Sequence, residues 1–131
     1  MKDKEKEEKY SNSLIDEFVK YMRKTLNKKH LKKRDVFYLA DIPVNYGYKL
    51  LLGEKRTKQR DIIIRICLVS TFSIRETQEA LRLYEMPILY KKFKRDGLIL
   101  EGIQKGIKEV DTIDEILERN NVSRLKTCGK N

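Results

Sequence analysis

The spacing of apolar residues along the chain predicts a succession of helices and no strand. From Ser13 onward, Leu14, Phe18 and Met22 recur at intervals of three or four residues, which is typical of an amphipathic helix. Similar spacing predicts a short second helix around 36–40, a third over 43–52 and a fourth over 60–71. Further helices are predicted from residue 73 to about 83, over 95–106 and over 111–121. The pattern therefore indicates an all-α fold.

Local signals predict where several of these helices begin and end. Pro43 disfavours a helical conformation for Ile42 and can itself open the third helix. Gly53 is placed to end that helix in a left-handed conformation. Ser73 followed by Glu76 has the spacing of a capping box.

The second half of the chain repeats itself. The pair Arg60-Asp61 recurs at Arg95-Asp96, and the segment 74–89 matches 110–125 at an offset of 36 residues. Such a period is typical of stacked helical hairpins, although two copies leave chance similarity open. We therefore divide the chain into a disordered or fraying charged arm (1–12), a first helical module (13–72), a helical extension packed on it or continuous with it (73–125) and a flexible tail (126–131).

The net charge of +10 is concentrated in one part of the chain. Residues 20–60 hold 13 Lys or Arg against three acidic residues, while the remaining residues balance. A basic field of this kind fits a polyanionic partner, because a Lys or Arg near a phosphate releases condensed counterions. A solvated surface without a partner is the alternative interpretation of the same charge.

Other features of the sequence argue against several classes of protein. The only histidine, His30, lies among lysines, and no phosphate-binding loop, HExxH or CxxC motif is present. We predict no enzyme activity, no catalytic residue, no metal site and no cofactor. The charged N-terminus lacks the apolar stretch of a signal peptide and no run is apolar enough for a membrane span, so we expect a cytoplasmic protein without a disulfide between Cys67 and Cys128.

Residues Leu31 to Arg56 resemble the helix-turn-helix of the Cro/CI-type repressors of bacteria and phages, also called the Xre family. The resemblance covers roughly residues 14–72. It depends on the Tyr46 and Tyr48 pair, on the run from Gly53 to Arg56, and on an apolar spacing at Leu31, Val36, Ala40, Ile42 and Leu50. The later part of the chain is similar to a subgroup with extra C-terminal helices. The resemblance implies a lambda-repressor-like helix-turn-helix bundle extended by C-terminal helical hairpins.

The same resemblance implies which residues contact DNA. The helix 43–52 would enter the major groove, with base contacts from Val44, Asn45, Tyr48 and Lys49. Phosphate contacts would come from both sides of that helix, from Lys32, Lys33, Arg34, Lys55, Arg56 and Lys58. Gly47 departs from the family, which usually has an apolar side chain there, and we expect Tyr46 or Tyr48 to fill the gap.

Two functions of different classes follow. The first is a sequence-specific regulator that binds double-stranded DNA, a repressor by the simplest mechanism, with a homodimer reading half-sites about one helical turn apart. The alternative is a helical-repeat adaptor, such as an antitoxin or a kinase-linked accessory factor, which binds a protein partner through the C-terminal helices and touches nucleic acid only nonspecifically. Recognition of structured RNA is less favoured, because the pattern offers no sheet of stacking aromatics.

Overall fold

The computed structural model describes residues 2–128, and the side chains of residues 14–128. This part of the chain contains helices and no strand, which confirms the all-α class. In chain order the helices are α1 (Lys2–Lys28), α2 (Lys33–Ala40), α3 (Val44–Leu51), α4 (Arg60–Val69), α5 (Ile74–Leu83), α6 (Lys94–Gln104) and α7 (Val110–Arg119).

The first helix is longer than its apolar pattern predicts. Helix α1 begins at Lys2 rather than near Ser13, and so includes the backbone of the segment expected to form a disordered or fraying arm. Lys and Glu are strong helix formers, so a stretch that has no apolar face can still continue a helix. The later part of α1 buries Phe18, Met22 and Leu26 against the rest of the core.

Every helix is followed within two residues by a residue in the left-handed region. These residues are His30, Asp41, Gly53, Thr71, Glu85, Gly106 and Asn121. The prediction for Gly53 is confirmed, with a φ of 77°. Because Thr71 also takes this conformation, α4 ends at Val69, slightly earlier than predicted. The capping box at the start of α5 is formed in both directions between Ser73 and Glu76, as predicted.

Helix α4 is the centre of the molecule. Every residue from Asp61 to Ser70 is buried, and α4 packs against α2, α5 and α7. Helix α5 packs in turn on α1, α4 and α6. The predicted boundary at 72/73 therefore crosses a continuous core, and the helical extension is continuous with the first module.

The Arg-Asp repeat forms a reciprocal ion-paired clasp. Arg60 of α4 pairs with Asp96 of α6, with nitrogen to oxygen distances of 2.5 and 3.2 Å. Arg95 of α6 pairs in the opposite direction with Asp61 of α4, at 2.8 and 3.1 Å. Each guanidinium thus meets both oxygens of the carboxylate from the other copy of the motif. Both carboxylates are buried, so the clasp joins the first hairpin (α4 and α5) to the second hairpin (α6 and α7) through their interior.

The contacts around this clasp also repeat. Arg60 donates to the carbonyl oxygens of Pro87 and Ile88, and Arg95 donates to those of Ser123 and Arg124, the positions at the 36-residue offset. The backbone N–H of Tyr90 donates to Asp96, and that of Lys126 donates to Asp61. Leu89 and Leu125 are buried at equivalent places, held by the side chains of Gln78 and Asp114. The repeat in the sequence is therefore a repeat in the structure.

The chain after α7 is tied to the core by Arg65. This buried side chain donates to the carbonyl oxygens of Leu125 and Lys126, and also to that of Ala40 at the end of α2. At Lys126, where the flexible tail was predicted to begin, the backbone N–H donates to the Asp61 side chain and the carbonyl accepts from the Arg65 side chain. Residues 129–131 of that predicted tail lie outside the described residues.

Candidate nucleic-acid interface

The turn between α2 and α3 occupies three residues. Asp41 takes a left-handed conformation with a φ of 57°, which Asp tolerates better than most residues. The backbone N–H of Ile42 then donates to the carbonyl of Phe37 at 2.9 Å, and the Ile42 side chain is buried. Pro43 is the N-cap of α3 rather than its first helical residue. The buried Ile42 side chain therefore fixes the direction of α3. The left-handed Asp41 and Pro43, which lacks a backbone N–H, interrupt the helix between α2 and α3.

Gly47 sets how closely α3 approaches α2. A Cβ atom at this position would lie 2.5 Å from Cδ1 and 2.6 Å from Cγ of Phe37, whose ring is fully buried. The ring of Phe37 thus fills the space that we expected Tyr46 or Tyr48 to fill, and that prediction is wrong. Tyr48 instead meets the Phe37 ring edge-on, with centroids 5.1 Å apart. The phenylalanine reaches Gly47 because it lies on the buried face of α2, one turn before the tight turn.

The face of α3 opposite Gly47 is open. Asn45, Tyr48 and Lys49 are exposed, while Gly47, Leu50 and Leu51 are buried. This division follows from the helical period, which places the two sets on opposite sides of the axis. Three of the four predicted base-contacting residues therefore share one exposed face. The fourth, Val44, is half-buried and packs against the core.

A first group of basic residues lies where α2 begins. Lys32 is the N-cap of α2, and Lys33 and Arg34 are its first two residues. Lys32 and Arg34 are exposed, and Lys33 is half-buried. None of the three has an acidic partner among the described side chains, so their charge is available to a phosphate. The free backbone amides at a helix N-terminus add to this preference for anions.

A second group lies in the segment between α3 and α4. Lys55, Arg56 and Lys58 are all exposed there. The segment is anchored by its Thr57 N–H, which donates to the hydroxyl of Tyr84 at 2.8 Å. Arg56 lies 5.1 Å from the centroid of that tyrosine ring and 3.9 Å from a carboxylate oxygen of the neighbouring Glu85. Arg56 is therefore partly neutralised, and Lys55 and Lys58 are the cations of this group better placed to meet a phosphate.

A third basic surface on α1 was not among the predicted site residues. Lys20, Arg23 and Lys24, together with Asn27, line a shallow groove on the outward side of α1. Their spacing of three and four residues was the signal that could have identified them. Lys29, by contrast, is occupied by an ion pair of 3.0 Å with Glu76.

Two features of the described residues concern metal binding and thiol chemistry. Among the side chains of this part of the chain, no group of three or more His, Cys, Asp or Glu could hold a metal ion. Burial raises the pKa of the Cys67 thiol far above its usual range, so this cysteine is not a ready nucleophile. No helix within the described chain has the length and apolar character required to span a membrane.

Comparisons of the chain with protein-family models, with curated proteins and with solved structures find no match, and the function must therefore be inferred from the residues themselves.

Proposed function

We propose that the protein is a sequence-specific regulator that binds double-stranded DNA, with α2 and α3 acting as a helix-turn-helix and α3 entering the major groove. One observation carries the proposal. Helix α3 is anchored on one side by Gly47 beneath the Phe37 ring, and it presents Asn45 and Lys49 to solvent on the other, with Tyr48 between the two sides against the edge of that ring. A recognition helix needs this combination of a fixed orientation and an uncovered polar face.

The exposed side chains have the chemistry that base recognition requires. An Asn side chain can pair through two hydrogen bonds with N6 and N7 of adenine, and a Lys can donate to O6 or N7 of guanine. Asn45 and Lys49 are four residues apart, which separates them by about 6 Å along the helix axis. Bases follow one another at about 3.4 Å in duplex DNA, so the two side chains can reach bases one or two steps apart. Half-buried Val44 can contribute no more than a limited contact with a thymine methyl group.

The two basic groups that flank α3 in the sequence supply the phosphate contacts in this proposal. They hold six cations, of which Arg56 already faces Glu85. Each phosphate neutralised contributes about 0.9 to the slope of log affinity against log salt. Five cations therefore predict a slope of about −4 to −5 for binding to duplex DNA.

In fold terms, the proposal treats α1 to α4 as a lambda-repressor-like bundle of the Xre type, to which α5, α6 and α7 are added. Repression would follow from occupying a site that a polymerase must use, and it needs no cofactor. A homodimer would place two copies of α3 in successive turns of the major groove, so its operator would consist of half-sites about 34 Å apart.

The experiment is selection of duplexes from a random DNA pool by the purified full chain, followed by affinity measurements on the enriched sequence. We expect Asn45→Ala and Lys49→Ala each to reduce the preference for that sequence by about tenfold or more, because a good base contact contributes about 1 to 3 kcal/mol of discrimination. Gln104→Ala and Lys105→Ala at the end of α6 are matched controls, since both residues are exposed and α6 packs on α5 and α7 rather than on α3. These controls should keep the preference.

Other results would contradict the proposal. If no sequence is enriched, sequence-specific DNA recognition is excluded, even if the protein binds bulk DNA at low salt. A weak and uniform loss of affinity for all sequences, equal in the α3 variants and in the controls, would favour the adaptor with nonspecific nucleic-acid contact.

A further inference from the structure

The connection between α5 and α6 exposes three large apolar side chains. Ile88, Tyr90 and Phe93 are 50%, 48% and 63% exposed, and we call them the apolar loop surface. The rings of Tyr90 and Phe93 meet edge-on with centroids 5.2 Å apart, so two of the three form one continuous patch. Adjacent large apolar groups on a surface commonly mark a binding site.

The backbone beneath this surface is firmly held. The side-chain amide of Gln78 accepts from the N–H of Leu89 and donates to its carbonyl, both at 2.8 Å. Arg60 binds the two preceding carbonyls, and Asp96 accepts from the N–H of Tyr90 at 2.9 Å. The apolar side chains are therefore presented by a fixed backbone, which lowers the entropic cost of binding a partner.

In the second hairpin, polar residues occupy the places of two of these apolar side chains. It forms the same clasp with Arg124 where the first hairpin has Ile88 and with Lys126 where the first has Tyr90. Both Arg124 and Lys126 are exposed, and only the leucine between them is buried in each copy. Since exposed polar residues stand at the equivalent places of the second hairpin, the fold does not explain the apolar character at 88 and 90.

The surroundings of the surface specify the chemistry of a partner. Lys91, Lys92 and Lys94 are exposed within the same stretch, and none has an ionic partner among the described side chains. Beside Tyr90, an open groove between α5 and α6 is lined by Ile74 and Leu100 and by Lys91. Glu101 also lines it, and its charge is offset by an ion pair of 2.9 Å with Lys105. The combination offers an open apolar groove for side chains, with Lys91 at the groove and two further lysines in the same stretch of chain.

We propose that the apolar loop surface and this groove bind an acidic segment of a partner protein, whose apolar side chains enter the groove while its carboxylates face the three lysines. A groove favours the side chains of a peptide over a flat bilayer, and phosphate groups of nucleic acid would leave the exposed apolar groups without a partner. The inference does not depend on DNA binding, because it uses residues of the second half of the chain alone.

The test is selection from a displayed library of random peptides on the full chain, with the double variant Ile88→Gln/Tyr90→Lys as the counter-target. In the second hairpin, Arg124 pairs with Glu118. The equivalent positions of the first hairpin are Ile88 and Arg82, so a cation at 88 would face Arg82, and Gln is chosen instead. We expect enriched peptides that combine Asp or Glu with Leu, Ile or aromatic residues. Their affinity should fall about tenfold or more in the double variant, because aromatic anchors dominate such interfaces.

The same peptides separate the two parts of the proposal. Lys91→Glu/Lys92→Glu should weaken the acidic peptides and reduce the dependence of their binding on salt. The double variant adds positive charge, so its loss of affinity reports the apolar contacts rather than electrostatics. Its thermal stability should match that of the wild type, as the second hairpin implies.

Several outcomes would overturn the inference. These are enrichment of peptides without acidic residues, or equal binding of the selected peptides to the wild type and to the double variant. Stronger binding of the wild type to vesicles of anionic phospholipid, or to a single-stranded oligonucleotide, than to any selected peptide would assign the surface to those partners instead.

Discussion

Breaking one side of the Arg-Asp clasp tests the central feature of the fold. In Arg60→Ala, the carboxylate of Asp96 keeps only the N–H of Tyr90, and the carbonyls of Pro87 and Ile88 lose their donor. Removing one partner of a buried ion pair costs about 3 to 5 kcal/mol. Because the Arg60 side chain is 24% exposed, water can replace part of what is lost, and we expect a cost of about 2 to 4 kcal/mol in the free energy of unfolding.

The cross-pairing itself is tested by a double-mutant cycle. Since Arg60 contacts Asp96 and not its sequence neighbour, Arg60→Ala and Asp96→Ala should be non-additive by about 1 to 3 kcal/mol. Arg60→Ala and Asp61→Ala should show a much smaller coupling, because Asp61 pairs with Arg95. Urea unfolding followed by far-UV circular dichroism gives the free energies. A larger coupling between Arg60 and Asp61 than between Arg60 and Asp96 would refute the reciprocal arrangement.

Three further predictions concern the packing, the thiols and the pH dependence. Gly47→Ala should lower the free energy of unfolding in urea by about 1 kcal/mol or more, despite the better helix propensity of Ala. Adding Phe37→Leu to this variant should recover part of the loss. A Gly47→Ala variant more stable than the wild type would contradict the close packing. In the native protein Cys67 should resist a thiol reagent that labels the half-buried Cys128, as mass spectrometry would show; equal rates would place Cys67 at the surface. Partial burial tends to raise the pKa of Glu76, but hydrogen bonds from Ser73 and Lys29 outweigh burial and lower it. The Glu76→Gln variant should therefore be less stable than the wild type near neutral pH, and this difference in stability should disappear as the pH falls through the lowered pKa. A difference that persists in acid would contradict this explanation.

Most of the local structure could be predicted from the sequence. Helices α2 to α7 lie within a few residues of their predicted positions, because the apolar period, Pro43, Gly53 and the Ser73 capping box act between residues close in the chain. The apolar period does not predict the start of α1, because residues of high helix propensity can continue a helix that has no apolar face there. Helix ends with a left-handed residue such as Thr71 were also not predicted, because no glycine lies at these positions.

For the candidate site, the sequence identified the exposed polar residues of α3 and the basic residues on either side of it. It did not predict that the Phe37 ring covers Gly47, or that Arg56 is drawn toward Glu85. Both contacts join residues on different helices, and their partners depend on how those helices cross. The function of these residues remains the proposal that the DNA selection experiment tests.

The pairing of distant residues depends on the packing of the helices and could not be predicted from the sequence. The recurrence of the Arg-Asp motif indicated a repeat, but each Arg could have paired within its own motif or with the other copy. Likewise, nothing in the spacing around Arg65 revealed that it joins the end of α2 to residues 125 and 126. Periodicity and capping are set by neighbours along the chain, whereas the partner of a buried charge is set by which helices the core brings together.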